Sequence, residues 1–375
     1  MRPTVTFLLS KDPTTEHGGD IALSRLVMRL AREHFDVRAV CLSGIDGDAP
    51  DGRLVRVPKP PVRRLPLLLG RVGARRSLVH ARFDVPGLVR AIESVDSDIY
   101  VAEHSYMAES YLRSARTAGS RLVINTVNTE SQVWKLTRGL IGRMEAPRIL
   151  RDEIRVARAA DAVGTYDRDE ADFYTRHGVT NARWIPLTLE PTPPLPISQT
   201  GRRLVFIGTR AWPPNQEAFE LALRWWPAIS ARIPDAELCI IGAPASRTRT
   251  RTRTRTRAYP AGVTDMGFVA DLDTFLGTCR ALIAPVATGG GVRVKILDAA
   301  RRGLPVVGTT TAVGSLRTIL ELPVFDDQNA FVDQCRRYLW DRDTAATDGQ
   351  RLYEVNARRW RNRLPHAAVT NLLRP

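Results

Sequence analysis

Three consecutive glycines, Gly289, Gly290 and Gly291, stand between an apolar run and a segment carrying Lys295 and Asp298. That order of residues suits the holding of a phosphate ester. Glycines let backbone N–H groups approach an anion closely, the N-terminus of a following helix adds partial positive charge, and an ammonium adds a full one. Asp298, three residues beyond Lys295, falls on the same side of such a helix, where a carboxylate accepts hydrogen bonds from sugar hydroxyls. The plainer reading is the strand, turn and helix of any α/β protein, since a glycine-rich turn by itself is weak evidence.

An amphipathic helix must position these groups. The spacing predicts Val292, Ile296, Ala299 and Ala300 on a core face and Lys295, Asp298 and Arg302 on another, with Gly303 and Pro305 ending the helix before PVVGT. Upstream, apolar strand-like runs alternate with helical patterns: TVTFLLS, a helix from Gly19 to Glu33, VRAVCLS, DIYVAEH, a helix through SYMAESYLRSART, RLVINTVN, then a long helical region from Glu130 to about Ala160. A second series runs through RLVFIGT, PNQEAFELALRWWPAISARIP, ELCIIG, VTDMGFV, DLDTFLGTC and RALIAPV. Such alternation predicts two doubly wound α/β domains with parallel sheets, their strand ends lining a shared cleft. The expected boundaries are 1–190, a Pro/Ser/Thr-rich linker at 191–202, 203–350, and a helical tail at 351–375 that packs back on the first domain, its last residues beyond DGQRLYEVNARRWRNRL showing no clear turn of their own.

A length of 375 residues exceeds what one core ordinarily serves, and 43% apolar with 25% charged residues describes a soluble globular chain. No apolar run approaches the length of a membrane span, and the N-terminal stretch reads as a first strand and not as a signal peptide, so a cytoplasmic location is expected. Cys41, Cys239, Cys279 and Cys335 lie in apolar segments without metal-ligand spacing, which predicts buried, reduced thiols.

The net charge of +15 raises a nucleic-acid reading, but six of those charges are the arginines from Arg247 to Arg257 in an Arg/Thr repeat that reads as a solvated low-complexity loop. No recognition helix or RNA-binding aromatic pattern supports a specific nucleic-acid site. Residues 53–82 hold nine basic side chains and no acidic one, interleaved with Leu65, Leu67, Leu68 and Leu69. That pattern fits either peripheral contact with an anionic membrane or a solvated face over a core helix.

With these residues in place, the chain resembles a GT-B glycosyltransferase of family 4, the retaining, nucleotide-sugar-dependent enzymes. The likeness is carried by FIGTRAWPPNQEAFE, PDAELCIIG, MGFVADL and APVATGGGVRVKILDAARRGLPVVGT, and more loosely by EHGGD and DIYVAEH. It implies that Lys295 contacts the donor diphosphate and Asp298 the ribose, with Thr288 and Gly289 to Gly291 lining the phosphate and sugar subsite. Gly208 and Arg210 would lie at the diphosphate, Gly267, Phe268 and Val269 at the base, His104 near the transferred sugar, and Gly18 and Gly19 at the phosphates from the other domain. His104, Arg210 and Lys295 are thus the catalytic candidates, and Glu103 a positioning one. The implied partners are a nucleoside-diphosphate sugar and a glycan or lipid-linked acceptor met at the inner membrane face, with no cofactor and no metal.

The sequence also departs from the family pattern. Gly290 stands where many members carry a glutamate, the ribose-binding carboxylate is Asp, and Asn215 takes the place of a common lysine. A nucleotide-sugar epimerase of similar fold is a second reading, although no convincing acid and base pair of carboxylates is evident. Trp212, in the turn after FIGT, is the tryptophan best placed to stack on a sugar.

Overall fold

The computed structural model describes residues 2–49, 52–60, 76–244, 259–291 and 293–374. The chain divides into two compact units, one comprising Met1–Leu187, Gly290–Val292 and Arg363–Pro375, the other Thr188–Gly289 and Arg293–Asn362.

The first unit is built on seven parallel strands: β1 Thr4–Leu9, β2 Asp36–Ser43, β3 Leu54–Pro58, β4 Ile99–Glu103, β5 Arg121–Thr126, β6 Ala162–Thr165 and β7 Ala182–Trp184. Their spatial order is β3-β2-β1-β4-β5-β6-β7. The central strands are apolar and buried on both faces, as a parallel sheet covered by helices requires. β1 pairs with β2 on one side and β4 on the other, Val5 lying opposite Val37 and Ile99, so the winding direction reverses between β1 and β4. Ligands of doubly wound sheets bind beyond the strand ends at such a reversal.

The second unit repeats the plan with five parallel strands, β8 Arg203–Ile207, β9 Glu237–Ile241, β10 Val263–Gly267, β11 Ala281–Ala284 and β12 Val306–Gly308, in the order β10-β9-β8-β11-β12. Its reversal falls between β8 and β11, where Leu204 pairs with Ala281. Phe206, Trp226, Leu282, Ile296 and Phe331 are fully buried in this unit. All four cysteines are buried and unpaired.

Several elements differ from the sequence reading. Strand β3 lies inside the basic stretch, where the charges hid a short run, LVRVP, whose Leu54 and Val57 are buried. SYMAESYLRSART forms a 3₁₀ turn, a short helix Ala108–Leu112 and a second 3₁₀ turn, not one helix. The region from Glu130 to about Ala160 is two helices, Glu130–Thr137 and Gly139–Ala159, broken where Gly139 takes a φ of 56°. The residues beyond DGQRLYEVNARRWRNRL do have their own element: Leu364–Leu373 is a helix whose Val369, Leu372 and Leu373 are buried in the first unit. Residues 350 and 351 both lie within the helix Arg342–Arg361. The segment 191–202 runs along the second unit, with Thr192 and Leu195 donating to the Arg301 and Arg302 carbonyls at 3.2 and 2.8 Å.

The Arg/Thr repeat, Arg63, Arg64, Leu65, Leu67 to Leu69, Arg71, Arg75 and Val292 lie outside the described residues. No helix among the described residues is long and apolar enough to cross a membrane.

Candidate active site

In the second unit the helix Val294–Arg302 begins just beyond β11, at the reversal of the sheet. Its N-cap, Arg293, makes no side-chain capping bond, while its carbonyl accepts from Ile296 N at 2.9 Å and Leu297 N at 3.1 Å, so the side chain caps neither of the first two N–H groups, those of Val294 and Lys295. Ile296, Ala299 and Ala300 are buried as the pattern requires, and Gly303 ends the helix in the left-handed conformation at φ 71°. Arg302 departs from the expectation of a polar face. It is 4% exposed and ion-paired with Asp273 and Asp298, its charge matched inside the unit.

Lys295 is half-buried beside the N-terminus of the facing helix, Pro213–Ser230. Its ammonium donates to Asn215 Oδ1 at 3.0 Å and lies 5.5 Å from the centre of the Phe206 ring. Among the described residues no carboxylate pairs with it. Burial without a compensating charge lowers its pKa to about 8. Asn215, standing where a second lysine was a family expectation, also donates to the Thr209 carbonyl at 3.1 Å. It thereby presents its oxygen to Lys295 and avoids a like-charge neighbour.

Gly208 approaches Asn215 so closely that a Cβ would sit 2.9 Å from the Asn215 carboxamide carbon. Gly289, at φ 134°, lies against Pro214, while Gly290 and Gly291 group with the first unit. Gly290 is exposed and Gly291 is buried with φ 80°. Thr288 donates its hydroxyl to Glu217 Oε2 at 2.5 Å. Asp298 accepts from Arg301 Nε at 2.8 Å and from Arg302, so its carboxylate charge is already matched.

Arg210 is 4% exposed and held in a fork: Nη1 lies 2.5 Å from Asp265 Oδ2, while Nη2 is 3.0 Å from both Oδ1 and the Gly242 carbonyl. It lies over the Phe219 ring at 4.9 Å. Burial pushes Asp265 upward, but the bonds from Arg210 and from the Tyr259 hydroxyl at 2.7 Å outweigh it and hold the carboxyl below its ordinary range. Gly267, at φ 60°, accepts from Gly242 N at 2.7 Å, and next to it Phe268 is 88% exposed and Val269 half-buried. Trp212 is half-buried at the N-cap of Pro213–Ser230.

In the first unit, the reversal between β1 and β4 carries a second cluster. Gly18 and Gly19 are exposed at the start of the helix Gly19–Ala31, with Asp20 paired to Lys11 at 2.5 Å. Glu103 ends β4, fully buried, and accepts from Asn125 Nδ2 at 2.8 Å. Burial, partly opposed by that bond, pushes its carboxyl up to about 7. His104 follows at φ 72°, a backbone strain rarely accepted outside glycine, with its ring stacked on Tyr106 at 4.9 Å and Nδ1 3.4 Å from Glu130 Oε1. Glu103, His104, Lys11, Asp20 and Ser24 line one small open pocket.

The structure thus brings Gly208, Asn215, Thr288, Gly289 and Lys295 together at the reversal of the second unit, and Glu103 with His104 at that of the first. Sequence reasoning missed Glu217 and Asp265. Glu217 sits in the first turns of a helix that opens on a proline pair, and nothing in its spacing announces that it faces Thr288.

Two family models match the chain, "Glycosyl transferase 4-like domain" over residues 17–189 and "Glycosyl transferases group 1" over residues 201–341. A search of curated proteins finds no match. Among solved structures, the chain is similar to the sucrose-phosphate synthase of Thermosynechococcus elongatus at 16% identity, covering 98% of this chain and 97% of that one with a TM-score of 0.70. It is similar to Anabaena Alr3699/HepE in complex with UDP-glucose at 14% identity, 98% and 99% coverage and a TM-score of 0.66. With a mutant of S. aureus TarM solved in complex with UDP the identity is 12% and the TM-score 0.63, over 77% of this chain, which spans 58% of that longer one. The two matched models account for both units, and the chain belongs to the group 1 glycosyltransferases of GT-B fold.

Proposed function

We propose that the protein is a retaining, metal-independent transferase that moves a sugar from a nucleoside diphosphate to a glycan or lipid-linked acceptor of the cell envelope, at the inner membrane face. One observation carries this reading: a desolvated ammonium, Lys295, stands in the first turn of a helix on the sheet reversal with only neutral groups around it among the described residues. A diphosphate supplies the missing negative charge. As the sugar leaves, charge grows on the β-phosphate, and the preorganised ammonium and N–H groups stabilise that state more than the ground state. The acceptor hydroxyl's proton passes to the departing phosphate oxygen, so His104 and Glu103 orient the sugar and do not serve as a base. The UDP and UDP-glucose complexes of the structural relatives support a nucleoside-diphosphate donor.

A thermal-shift screen against UDP, GDP and their sugars tests the assignment, since a ligand at 100 times its Kd adds about 2.7 kcal/mol to apparent stability. One nucleotide is expected to raise the midpoint, and NMR of the product is expected to show the donor's anomeric configuration retained. No response to any of these compounds removes the reading.

The Lys295 value sets a pH dependence. Below about 8 the free protein already carries the proton. Above it, binding a diphosphate must take one up, so affinity is expected to fall by up to about tenfold per pH unit until the bound-state pKa is reached. Calorimetry at pH 8.5–9 in buffers of different ionisation enthalpy checks this, the expected sign being proton uptake.

Glu217 is proposed to hold the loop at Thr288 and through it the donor sugar, a task left open by Gly290. Glu217→Gln is expected to lower kcat/KM by about tenfold to a hundredfold, the worth of one hydrogen bond to a charged group, with nucleotide affinity little changed. An equal loss in nucleotide affinity would place Glu217 at the phosphates instead.

A further inference from the structure

Outside the site just described, the first unit carries an exposed apolar surface among the described residues. Leu136, Leu140, Ile141 and Met144 are 57%, 74%, 64% and 59% exposed, all within nine residues at the corner between Glu130–Thr137 and Gly139–Ala159. Two glycines make that corner. Gly139 takes positive φ, and Gly142 packs so tightly on the preceding helix that a Cβ would lie 1.9 Å from the Trp134 carbonyl oxygen. The corner turns these four side chains outward, Leu140, Ile141 and Met144 falling on one helical face.

Within residues 131–144 the charges have one sign. Lys135, Arg138 and Arg143 are exposed beside this apolar knob, while Glu145, just beyond, is buried and accepts from the Leu78 N–H at 3.1 Å. A protein partner interface at its centre is ordinarily depleted of charge, whereas apolar side chains ringed by cations match the boundary between acyl chains and anionic headgroups. The basic stretch 53–82 ends against the same helix: Ser77 N donates to Asp152 Oδ2 at 2.6 Å, and Arg76 and Arg155 both pair with Glu109. The end of that run is therefore fastened to the helix that carries the knob.

We propose that this corner is the element by which the protein docks on an anionic lipid bilayer, Leu136, Leu140, Ile141 and Met144 entering the interface and Lys135, Arg138 and Arg143 meeting the headgroups. This deepens the membrane-face part of the proposed function, but its test needs no sugar or nucleotide. The full chain is floated with vesicles of phosphatidylcholine alone and of phosphatidylcholine with phosphatidylglycerol. Binding is expected to the second, weakened by salt, and little to the first. Leu140→Asp/Ile141→Asp is expected to lower the bound fraction at least about tenfold, with the thermal midpoint and nucleotide response unchanged because the residues are exposed. Leu140→Trp, kept folded as judged by the same midpoint, is expected to be quenched by brominated lipid.

Three results would overturn the proposal. One is undiminished binding of the double Asp variant together with loss on changing Arg63, Arg64, Arg71 and Arg75 to Gln. Another is a dimer of the unliganded chain that the double Asp variant dissociates, which would make a second copy the occupant. The third is equal binding to both vesicle types. Loss of the nucleotide response with flotation intact would sink the transferase reading alone.

Discussion

Lys295→Met is expected to lower kcat/KM by about 10²–10³-fold, the range seen when a single preorganised electrostatic group is removed from a transition state, while raising the thermal midpoint. The two effects share a cause. Burial has driven the ammonium down to about 8 from 10.5, which means that the fold holds a charge it would sooner release. Methionine occupies similar volume beside Phe206 without that charge, so folding is relieved and donor binding loses its cation. The pH sign follows from the same shift. Between about 8 and 10.5 the unfolded chain binds the proton more tightly than the folded one, so this group makes stability climb with pH across that window. The methionine variant is expected to lack the climb. Unfolding curves of both proteins at pH 7 and 10, together with steady-state kinetics once a donor is known, check the pair of effects. A variant that retained turnover would show that the diphosphate lies elsewhere.

That Lys295 stands out in the sequence, and Arg210's bonding does not, has a physical explanation. A glycine run followed by a helix is local: the residues that make the cradle are neighbours along the chain, so periodicity and spacing expose them. The parallel sheets followed from strand and helix alternation for the same reason, since parallel neighbours need a crossover between them. Partners from different elements leave no such trace. Asp265 lies 55 residues from Arg210 and Glu217 lies 71 residues from Thr288, and their meeting depends on how β10 and the helix Pro213–Ser230 pack. The corner at Gly139 escaped detection because its flanks are both strong helix formers. A single glycine with positive φ decides the break, and glycine inside a helical pattern is tolerated often enough to be passed over. Strand β3 was hidden by charge: Arg56 interrupts a run whose Leu54 and Val57, on opposite faces of the strand, prove buried only once the sheet is seen. Where local pattern and distant packing agree, the sequence could be read; where one carboxylate chooses its partner across the sheet, it could not.

Arg210→Ala is expected to destabilise the second unit by about 3 kcal/mol, toward the lower end for breaking a buried pair because Asp265 keeps some exposure. The loss is less that of a contact than of the cation that makes the carboxylate tolerable: Asp265 would keep only Tyr259 and the Gly267 N–H, and its carboxyl would rise. Since the intact pair holds Asp265 below its ordinary value of 3.8, its contribution is present above that pH and is lost as pH falls through the lower folded value. Arg210→Ala/Asp265→Ala removes both charges and is expected to recover part of the loss, a coupling that a double-mutant cycle in urea measures. The same variant separates the two roles open to Arg210. The family resemblance places the residue at the diphosphate, but both terminal nitrogens are engaged by Asp265 and Gly242. Its Nε–H has no partner but is itself buried, so an anion reaches this guanidinium only if the side chain moves away from Asp265 and Gly242. The expected outcome is therefore that the double variant binds nucleotide within about tenfold of the parent chain, less than about 1.4 kcal/mol, whereas Lys295→Met does not. A loss as deep as that of Lys295→Met, in a double variant whose stability has returned, would put Arg210 on the donor after all and make Asp265 the group that holds it ready.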